Sequence, residues 1–104
     1  MIETLKKILG FGPKVNYDQM VKQGALILDV RSKAEYQAGH IRGSLNIPVD
    51  QLKRNLYRIP DKQRTIITCC ASGMRSSSAE SILKSNGYKN VCNGGSWVAL
   101  ENKI

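Results

Sequence analysis

The chain has 104 residues, of which 41% are hydrophobic and 23% are charged, the balance of one compact globular domain. This composition excludes a disordered chain and leaves no room for two full domains. Sixteen basic residues against eight acidic ones give a formal charge of +8, which attracts anions. The basic residues are scattered without interleaved aromatic residues, so we expect no nucleic-acid partner.

The N-terminal residues predict a short extension of the domain. One domain is expected over residues 1–104, with residues 1–13 as an N-terminal helical extension that docks on it. One face of this helix carries Ile2, Leu5, Ile8 and Leu9. Contact with a membrane surface is the alternative, but so short an apolar face makes it the less favoured one. The sequence has no apolar run of membrane-spanning length and no signal-peptide core, so we expect a cytoplasmic protein.

The first predicted elements of the domain are a helix and a strand. Asn16 is a good helix start and Gly24 a good stop, which predicts a short helix between them. Residues 25–30 form a continuous apolar run, which is typical of a buried strand. Such a run indicates a parallel sheet covered on both faces.

The next predicted helix has a clear start signal. Ser32 with Glu35 three residues later forms a capping box for a helix over residues 33–38, which Gly39 ends. A short strand over residues 44–47 follows.

A further helix is predicted before the strongest strand. Asp50 is its expected N-cap, Pro60 its stop, and one face carries Leu52, Leu56 and Ile59.

The second half of the chain continues the alternation of strand and helix. Strands are predicted over residues 65–69 and 91–92, and helices over residues 76–86 and 96–102. This alternation favours an open α/β sheet. Ligands of such sheets bind at the carboxyl ends of the strands.

The segment after the strand 65–69 carries the candidate chemistry, and it consists of Cys70, Ala71, Ser72, Gly73, Met74, Arg75 and Ser76. A cysteine in front of a helix N-terminus meets unpaired N–H groups and a dipole that stabilise its thiolate, the nucleophilic form. Arg75 is expected to supply a neighbouring cation. Gly73 permits a positive φ, so the loop can curl its amides around the sulfur.

The pattern Cys-x-x-Gly-x-Arg-Ser after a strand resembles the active-site loop of rhodanese-like domains. Further segments resemble the other motifs of that family in order and spacing. These are Leu28-Asp29-Val30-Arg31, Glu35-Tyr36, Gly39-His40-Ile41, Asn46-Ile47-Pro48, Asn86-Gly87-Tyr88 and Gly94-Gly95. The resemblance covers roughly residues 14–98.

The resemblance implies an open, mainly parallel five-stranded sheet with helices on both faces. It also implies a sulfurtransferase in which Cys70 takes a sulfane sulfur from a donor such as thiosulfate and passes it to a thiol or cyanide acceptor. Cys70 is then the catalytic residue, and a persulfide is its loaded form. The loop that binds the substrate comprises Ala71, Ser72, Gly73, Met74, Arg75 and Ser76. The loop amides suit an anionic sulfur without a metal or an organic cofactor, and a monomer is expected.

Two other functions stay open at this point. In the first, the persulfide is passed only to a partner protein, which makes the domain a sulfur-relay module. In the second, the chain is a cysteine phosphatase, whose loop resembles this one but holds five residues between Cys and Arg. Only four separate Cys70 from Arg75, and no general-acid Asp is evident beside the loop.

Other cysteine and histidine side chains have both a functional and a structural interpretation. By strand alternation Cys69 points away from Cys70 and is expected in the core. Cys92 is either a resolving cysteine near the site or a small buried residue. His40 is expected to be structural, because a thiolate stabilised by its loop needs no base.

The remaining candidates lie around the loop. Arg31 and Glu35 are expected to hold the strand end in place. Arg75 either holds the loop through backbone carbonyl groups or meets an anionic donor. Met74 and Trp97 are either residues at the rim of the pocket or ordinary exposed or core residues, and the sequence leaves both interpretations open.

Overall fold

The structure is a computed structural model that describes residues 15–104, so the helical extension predicted over residues 1–13 lies outside the described residues. No helix in the described range is long and apolar enough to cross a membrane. The elements are α1 Tyr17–Lys22, β1 Leu26–Asp29, α2 Lys33–Ala38, β2 Leu45–Asn46, α3 Val49–Leu52, a 3-10 helix at Lys53–Arg58, β3 Ile66–Cys70, α4 Met74–Ser85, β4 Val91–Ser96 and α5 Trp97–Glu101.

The strands form one parallel sheet in the order β2-β1-β3-β4. The α/β class and the parallel sheet are confirmed. The predicted count of five strands is wrong, because residues 15–104 contain four extended segments that pair and the rest of this range is helix and turn. β1 and β3 are central, so their carboxyl ends lie side by side, with Asp29 opposite Cys69.

The buried residues fall into two clusters that alternate along the central strands. Ile66 and Cys70 belong to the larger cluster, whereas Ile67 and Cys69 belong to the smaller one. Because side chains in a strand point to opposite faces in turn, the two clusters lie on opposite faces of the sheet. Helices α3 and α4 contribute Leu52, Ala79 and Leu83 to the larger cluster, and helices α1 and α5 contribute Tyr17, Met20, Val21, Trp97 and Leu100 to the smaller one.

The predicted helix starts are confirmed in two cases and wrong in a third. The Ser32 side chain accepts from the Glu35 N–H, and the Ser32 N–H donates to the Glu35 carboxylate, which completes the capping box of α2. Asn16 caps α1 by accepting from the Gln19 N–H at 2.9 Å. Asp50 does not cap α3, because the extended Pro48 occupies the N-cap position and Asp50 lies inside the first turn.

Gly39 follows α2 as predicted, but the reason for glycine is space. Its φ of 168° is an extended value that any residue adopts. A Cβ there would lie 3.2 Å from Cη2 of Trp97, closer than ordinary contact. The close approach of the Trp97 ring therefore favours glycine at this position.

Candidate active site

Cys70 is the last residue of β3 and exposes only 1% of its surface. The loop over it is exposed at Ala71 and Ser72, and the Met74 side chain that follows is 80% exposed. The sulfur therefore lies beneath its own loop, at the carboxyl end of a central strand.

The loop turns its backbone N–H groups toward the sulfur, as predicted. The Gly73 N–H donates to Cys70 Sγ at 2.9 Å. Gly73 has a φ of +104° at the N-cap of α4, a left-handed conformation in which other residues are strained. Because the helix begins at Met74, two residues earlier than predicted, Met74 and Arg75 belong to its first turn.

Two opposing effects act on the pKa of the Cys70 thiol. Burial raises this pKa, because it disfavours the charged form. Hydrogen bonds from the Ser76 side chain and from the backbone N–H groups of Ser76, Gly73 and Ser72 lower it. The hydrogen bonds prevail, and the pKa lies below its ordinary value of 9.0. The site thus favours the nucleophilic thiolate.

Ser76, in the first turn of α4, is fully buried and contacts the sulfur. Its Oγ lies 3.4 Å from Cys70 Sγ, 3.1 Å from the Gly73 carbonyl oxygen and 2.5 Å from Asn93 Oδ1. The Thr68 hydroxyl donates to the Ser76 carbonyl at 2.9 Å. These contacts fix the first turn of α4 against β3.

Asn93 on β4 is a site residue that the sequence did not single out. Its Nδ2 donates to the Gly73 carbonyl at 3.2 Å, and its Oδ1 accepts from the Gly95 N–H at 2.8 Å. The available signal was an Asn directly before Gly94-Gly95, at the end of the strand that neighbours the cysteine strand.

Arg75 holds the loop by a different contact from the predicted one. Its guanidinium donates to both carboxylate oxygens of Glu35, at 2.7 and 3.0 Å, instead of to backbone carbonyl groups. This ion pair, with the Ser32 N–H, lowers the pKa of Glu35 to about 2. A carboxylate therefore balances the cation expected beside the sulfur, and the pair ties α4 to α2.

Arg31 and Asp29 form a buried ion pair beneath the site. The Arg31 guanidinium donates to Asp29 at 2.7 Å and to the Gly39 carbonyl at 2.7 Å, and it also contacts the Glu35 carbonyl. Its carbon atom Cζ lies 4.6 Å from the centre of the Trp97 ring. These contacts agree with the predicted structural role of Arg31. Trp97 is half-buried and packs against the smaller cluster, which favours the core alternative over the pocket rim for this residue.

The other candidates lie apart from the sulfur. Cys69 and Cys92 both contact the smaller cluster, on the face of the sheet opposite Cys70. The two strands are neighbours as required, but the opposite orientation of Cys92 speaks against a resolving role. The His40 ring stacks on Tyr36 with centroids 3.8 Å apart and contacts the Tyr36 carbonyl at 2.7 Å through Nδ1, as expected of a structural residue.

A groove of about 850 Å³ runs beside the loop, along the edge strand β2. Arg75 borders it on the side of the loop, and Cys70 is not among its lining residues. The remaining side chains at its border include the basic Lys33 and Arg58 and the acidic Asp50.

These features define a class of protein: a parallel α/β domain that presents one thiol at the end of a central strand, under a loop whose amides favour its anion. The comparison with protein families gives the particular family. The family model described as "Rhodanese-like domain" matches residues 13–103. The chain belongs to the rhodanese-like family.

Curated relatives and solved structures agree with this assignment. Thiosulfate sulfurtransferase PspE of Escherichia coli is 38% identical over 69 residues, which are 65% of this chain and 66% of PspE. The tRNA uridine(34) hydroxylase of Buchnera aphidicola is 33% identical over 79 residues, which cover 71% of this chain and 25% of the hydroxylase. The structure of the human single-domain sulfurtransferase TSTD1 is 28% identical, with a TM-score of 0.74 over 84% of this chain and 90% of that one. The chain thus spans a quarter of the hydroxylase and just under two thirds of PspE.

Proposed function

We propose that this chain is a sulfurtransferase that moves a sulfane sulfur from a donor such as thiosulfate to a thiol or cyanide acceptor. Cys70 carries the sulfur as a persulfide. The observation that carries the proposal is the hydrogen bond of the Gly73 N–H to Cys70 Sγ, in a loop that lowers the pKa of this thiol.

The proposed reaction has two displacement steps on sulfur. The Cys70 thiolate attacks the outer sulfur of thiosulfate; the new Sγ–S bond forms as the old S–S bond breaks, and sulfite leaves with the electron pair. An acceptor thiolate then attacks the outer sulfur of the persulfide, and Cys70 leaves as a thiolate. With cyanide the product is thiocyanate. No net oxidant or reductant is consumed.

The surroundings of the sulfur support both steps. Donors that stabilise the thiolate also stabilise it as a leaving group, because the same anion forms when the acceptor attacks. The terminal sulfur of a persulfide is an anion too, and the loop offers several N–H groups. Ala71 and Ser72 are exposed, so this part of the loop faces solvent.

The direct test is the mass of the protein after treatment with thiosulfate. Wild-type protein is expected to gain the mass of one sulfur atom, and cyanide should remove it and yield thiocyanate. Cys70→Ala should gain nothing. Cys69→Ala is the matched control and should load as the wild type does. A wild-type protein that stays unmodified by thiosulfate and by other sulfane donors contradicts the proposal.

A second candidate is a relay that passes the persulfide only to a protein thiol. It is favoured by the exposed apolar side chains of Met74 and Val98, which are 80% and 51% exposed. Both residues follow strands that end beside each other, since Cys70 pairs with Ser96. Apolar side chains exposed near the end of the cysteine strand offer a partner protein apolar surface to contact.

The two candidates differ in their response to Val98→Lys, a substitution outside the substrate-binding loop. A relay to a protein thiol predicts slow thiocyanate formation in the wild type, faster transfer to protein thiols of the source cell, and loss of that protein transfer in the variant. A small-molecule sulfurtransferase predicts that Val98→Lys leaves thiocyanate formation close to the wild-type rate.

A further inference from the structure

The Ser76 hydroxyl connects Cys70 to the neighbouring strand β4. Its Oγ lies 3.4 Å from Cys70 Sγ and 2.5 Å from Asn93 Oδ1. Its Oγ also lies 3.1 Å from the Gly73 carbonyl oxygen, and Ser76 is fully buried. A hydroxyl carries one proton and can donate it in only one direction at a time. The sulfur therefore competes for this proton with two oxygen acceptors, Asn93 Oδ1 and the Gly73 carbonyl.

The orientation of the Asn93 side chain is set by two contacts of opposite kind. Its Oδ1 accepts from the Gly95 N–H at 2.8 Å, and its Nδ2 donates to the Gly73 carbonyl at 3.2 Å. A flipped amide would place its nitrogen against an N–H group and its oxygen against a carbonyl group. The atom that faces Ser76 is therefore the oxygen.

The backbone of β4 brings Asn93 to the loop. The pairing of β3 with β4 is irregular between Thr68 and Cys70, where Gly94 and Gly95 lie on the partner strand. A Cβ at Gly94 would lie 2.8 Å from Ile67 Cγ2 and 2.9 Å from the Thr68 carbonyl oxygen. Only glycine allows so close a passage. Asn93 precedes this bulge and pairs with Thr68, so strand alternation directs its side chain to the same face of the sheet as Cys70, beside the start of α4.

We propose that Asn93 is a positioning residue that acts on Cys70 through the Ser76 hydroxyl. This inference rests on the proposed role of Cys70 as the sulfur carrier. When Cys70 is a thiol, its S–H donates to Ser76 Oγ, and the Ser76 O–H donates to Asn93 Oδ1. When the sulfur is an anion, the Ser76 O–H turns toward it, and Asn93 Oδ1 keeps the Gly95 N–H. The thiol proton leaves to solvent, and Ser76 keeps its own proton throughout.

A neutral amide suits this role better than a carboxylate. A carboxylate at this position would accept a charge-assisted hydrogen bond, roughly twice as strong as a neutral one, from the Ser76 hydroxyl. The hydroxyl would then stay on the carboxylate, and the sulfur would lose a donor. The second carboxylate oxygen would also face the Gly73 carbonyl oxygen. Asn93→Asp is therefore the substitution that shows whether Asn93 influences the sulfur through the Ser76 hydroxyl or only contacts that hydroxyl.

The experiment measures the rate of iodoacetamide alkylation at Cys70 against pH, by mass spectrometry of the peptide. Asn93→Asp is expected to raise the pKa read from this curve by about one and to slow alkylation at neutral pH about tenfold. The matched control is Asn90→Asp, which adds the same charge just before β4, where the side chain contacts only the exposed Gln63 carbonyl. This control is expected to keep the wild-type curve.

The same substitution in a Ser76→Ala background identifies the route of the effect. If Asn93 acts through the hydroxyl, the tenfold effect of Asn93→Asp should fall to about twofold or less once the hydroxyl is absent. A tenfold effect that persists in this background means that the charge acts on the sulfur directly. This result overturns the proposal that Asn93 acts through Ser76. An unchanged curve for Asn93→Asp in the otherwise wild-type chain overturns it as well.

Asn93→Ala provides the second variant, with folding of each protein checked by circular dichroism. It removes one of the two neutral acceptors of the Ser76 hydroxyl, leaves the Gly73 carbonyl, and should keep the curve within about twofold of the wild type. If Asn93→Ala slows alkylation as much as Asn93→Asp does, the contact of Asn93 with the Gly73 carbonyl controls the sulfur. This result contradicts the proposal that Asn93 acts through Ser76. Alkylation does not require sulfur transfer. A chain that alkylates as expected but gains no sulfur from thiosulfate refutes the proposed function alone.

Discussion

Cys69 and Cys70 are adjacent in sequence and lie in opposite chemical environments. Burial raises the pKa of the Cys69 thiol to about 12, with the Asp29 carboxylate acting in the same direction. Burial acts on Cys70 too, but hydrogen bonds from Ser76 and from the loop amides reverse its effect. Both residues are almost fully buried, at 0% and 1% exposure. The donors that face a thiol, and not its exposure alone, therefore decide its reactivity here.

The largest expected difference between the two cysteines is in sulfur transfer. Cys70→Ser is expected to abolish both the gain of a sulfur atom from thiosulfate and the formation of thiocyanate, because serine cannot carry a transferable sulfane. Cys69→Ser should keep both activities, since its side chain contacts the opposite face of the sheet. The measurement is thiocyanate formation with intact-protein mass. An equal loss of sulfur loading and thiocyanate formation in the two variants would contradict the different roles of Cys69 and Cys70.

The loop amides can be displaced by a substitution at Gly73. Gly73→Ala forces a side chain into a left-handed conformation, which costs about 1–3 kcal/mol and shifts the N–H from the sulfur. The pKa of the Cys70 thiol should rise, and Cys69 should not respond.

The matched control for this change is Gly24→Ala. Gly24 has a φ of +102°, close to the +104° of Gly73, and nothing lies within 4 Å of the added Cβ. Urea unfolding should show a similar loss of stability in both variants, with slower Cys70 alkylation only in Gly73→Ala. Slower alkylation in Gly24→Ala as well would attribute the effect to general loosening of the fold.

The ionisation of Cys69 should lower the stability of the fold at alkaline pH. Its thiol ionises near 9.0 in the unfolded chain and near 12 in the folded one. The contribution of Cys69 to the free energy of unfolding is therefore fully present below pH 9. It falls by about 1.4 kcal/mol for each pH unit as the pH rises from 9 to 12. Cys69→Ala should flatten this part of the curve of unfolding free energy against pH. A curve as steep as that of the wild type would show that Cys69 ionises freely in the folded protein.

The Glu35–Arg75 pair gives the smallest effect, because both side chains are partly exposed. The pKa of Glu35 is about 2 in the folded protein, against an ordinary value of 4.5 in the unfolded chain. The pair therefore stabilises the fold above pH 4.5, and this stabilisation is lost as the pH falls toward 2. Glu35→Gln should weaken the acid dependence of unfolding in this window. Arg75→Gln breaks the same pair from the other side and should do the same. An acid transition unchanged in both variants would contradict the pairing.

Local patterns in the sequence predicted much of the fold because each depends on few neighbours. The capping box of Ser32 and Glu35 and the apolar strand before Cys70 are examples. The start of α4 was placed too late, because the left-handed Gly73 is itself the N-cap, and no side chain marks it. The count of five strands was inferred from the family, whereas the patterns along the chain predicted the four strands found in the described residues, including the two-residue edge strand β2.

The site was predictable where its residues follow one another and not where they meet across the fold. Cys70 and Gly73 lie in one loop, and their contact follows from local geometry. Asn93 reaches that loop because β3 and β4 are neighbours and Asn93 pairs with Thr68, two residues before Cys70. The Arg75–Glu35 pair joins residues 40 positions apart. Spacing along the chain carries no direct signal for such contacts.

The most direct test of the central claim compares Cys69 and Cys70 within the same wild-type protein. Iodoacetamide alkylation is followed across pH, and each cysteine is resolved by peptide mass spectrometry. The account predicts that Cys70 reacts with a pKa below 9.0, while Cys69 stays unmodified until the protein is unfolded. A Cys70 that reacts with a pKa at or above 9.0, or no faster than Cys69, would contradict it.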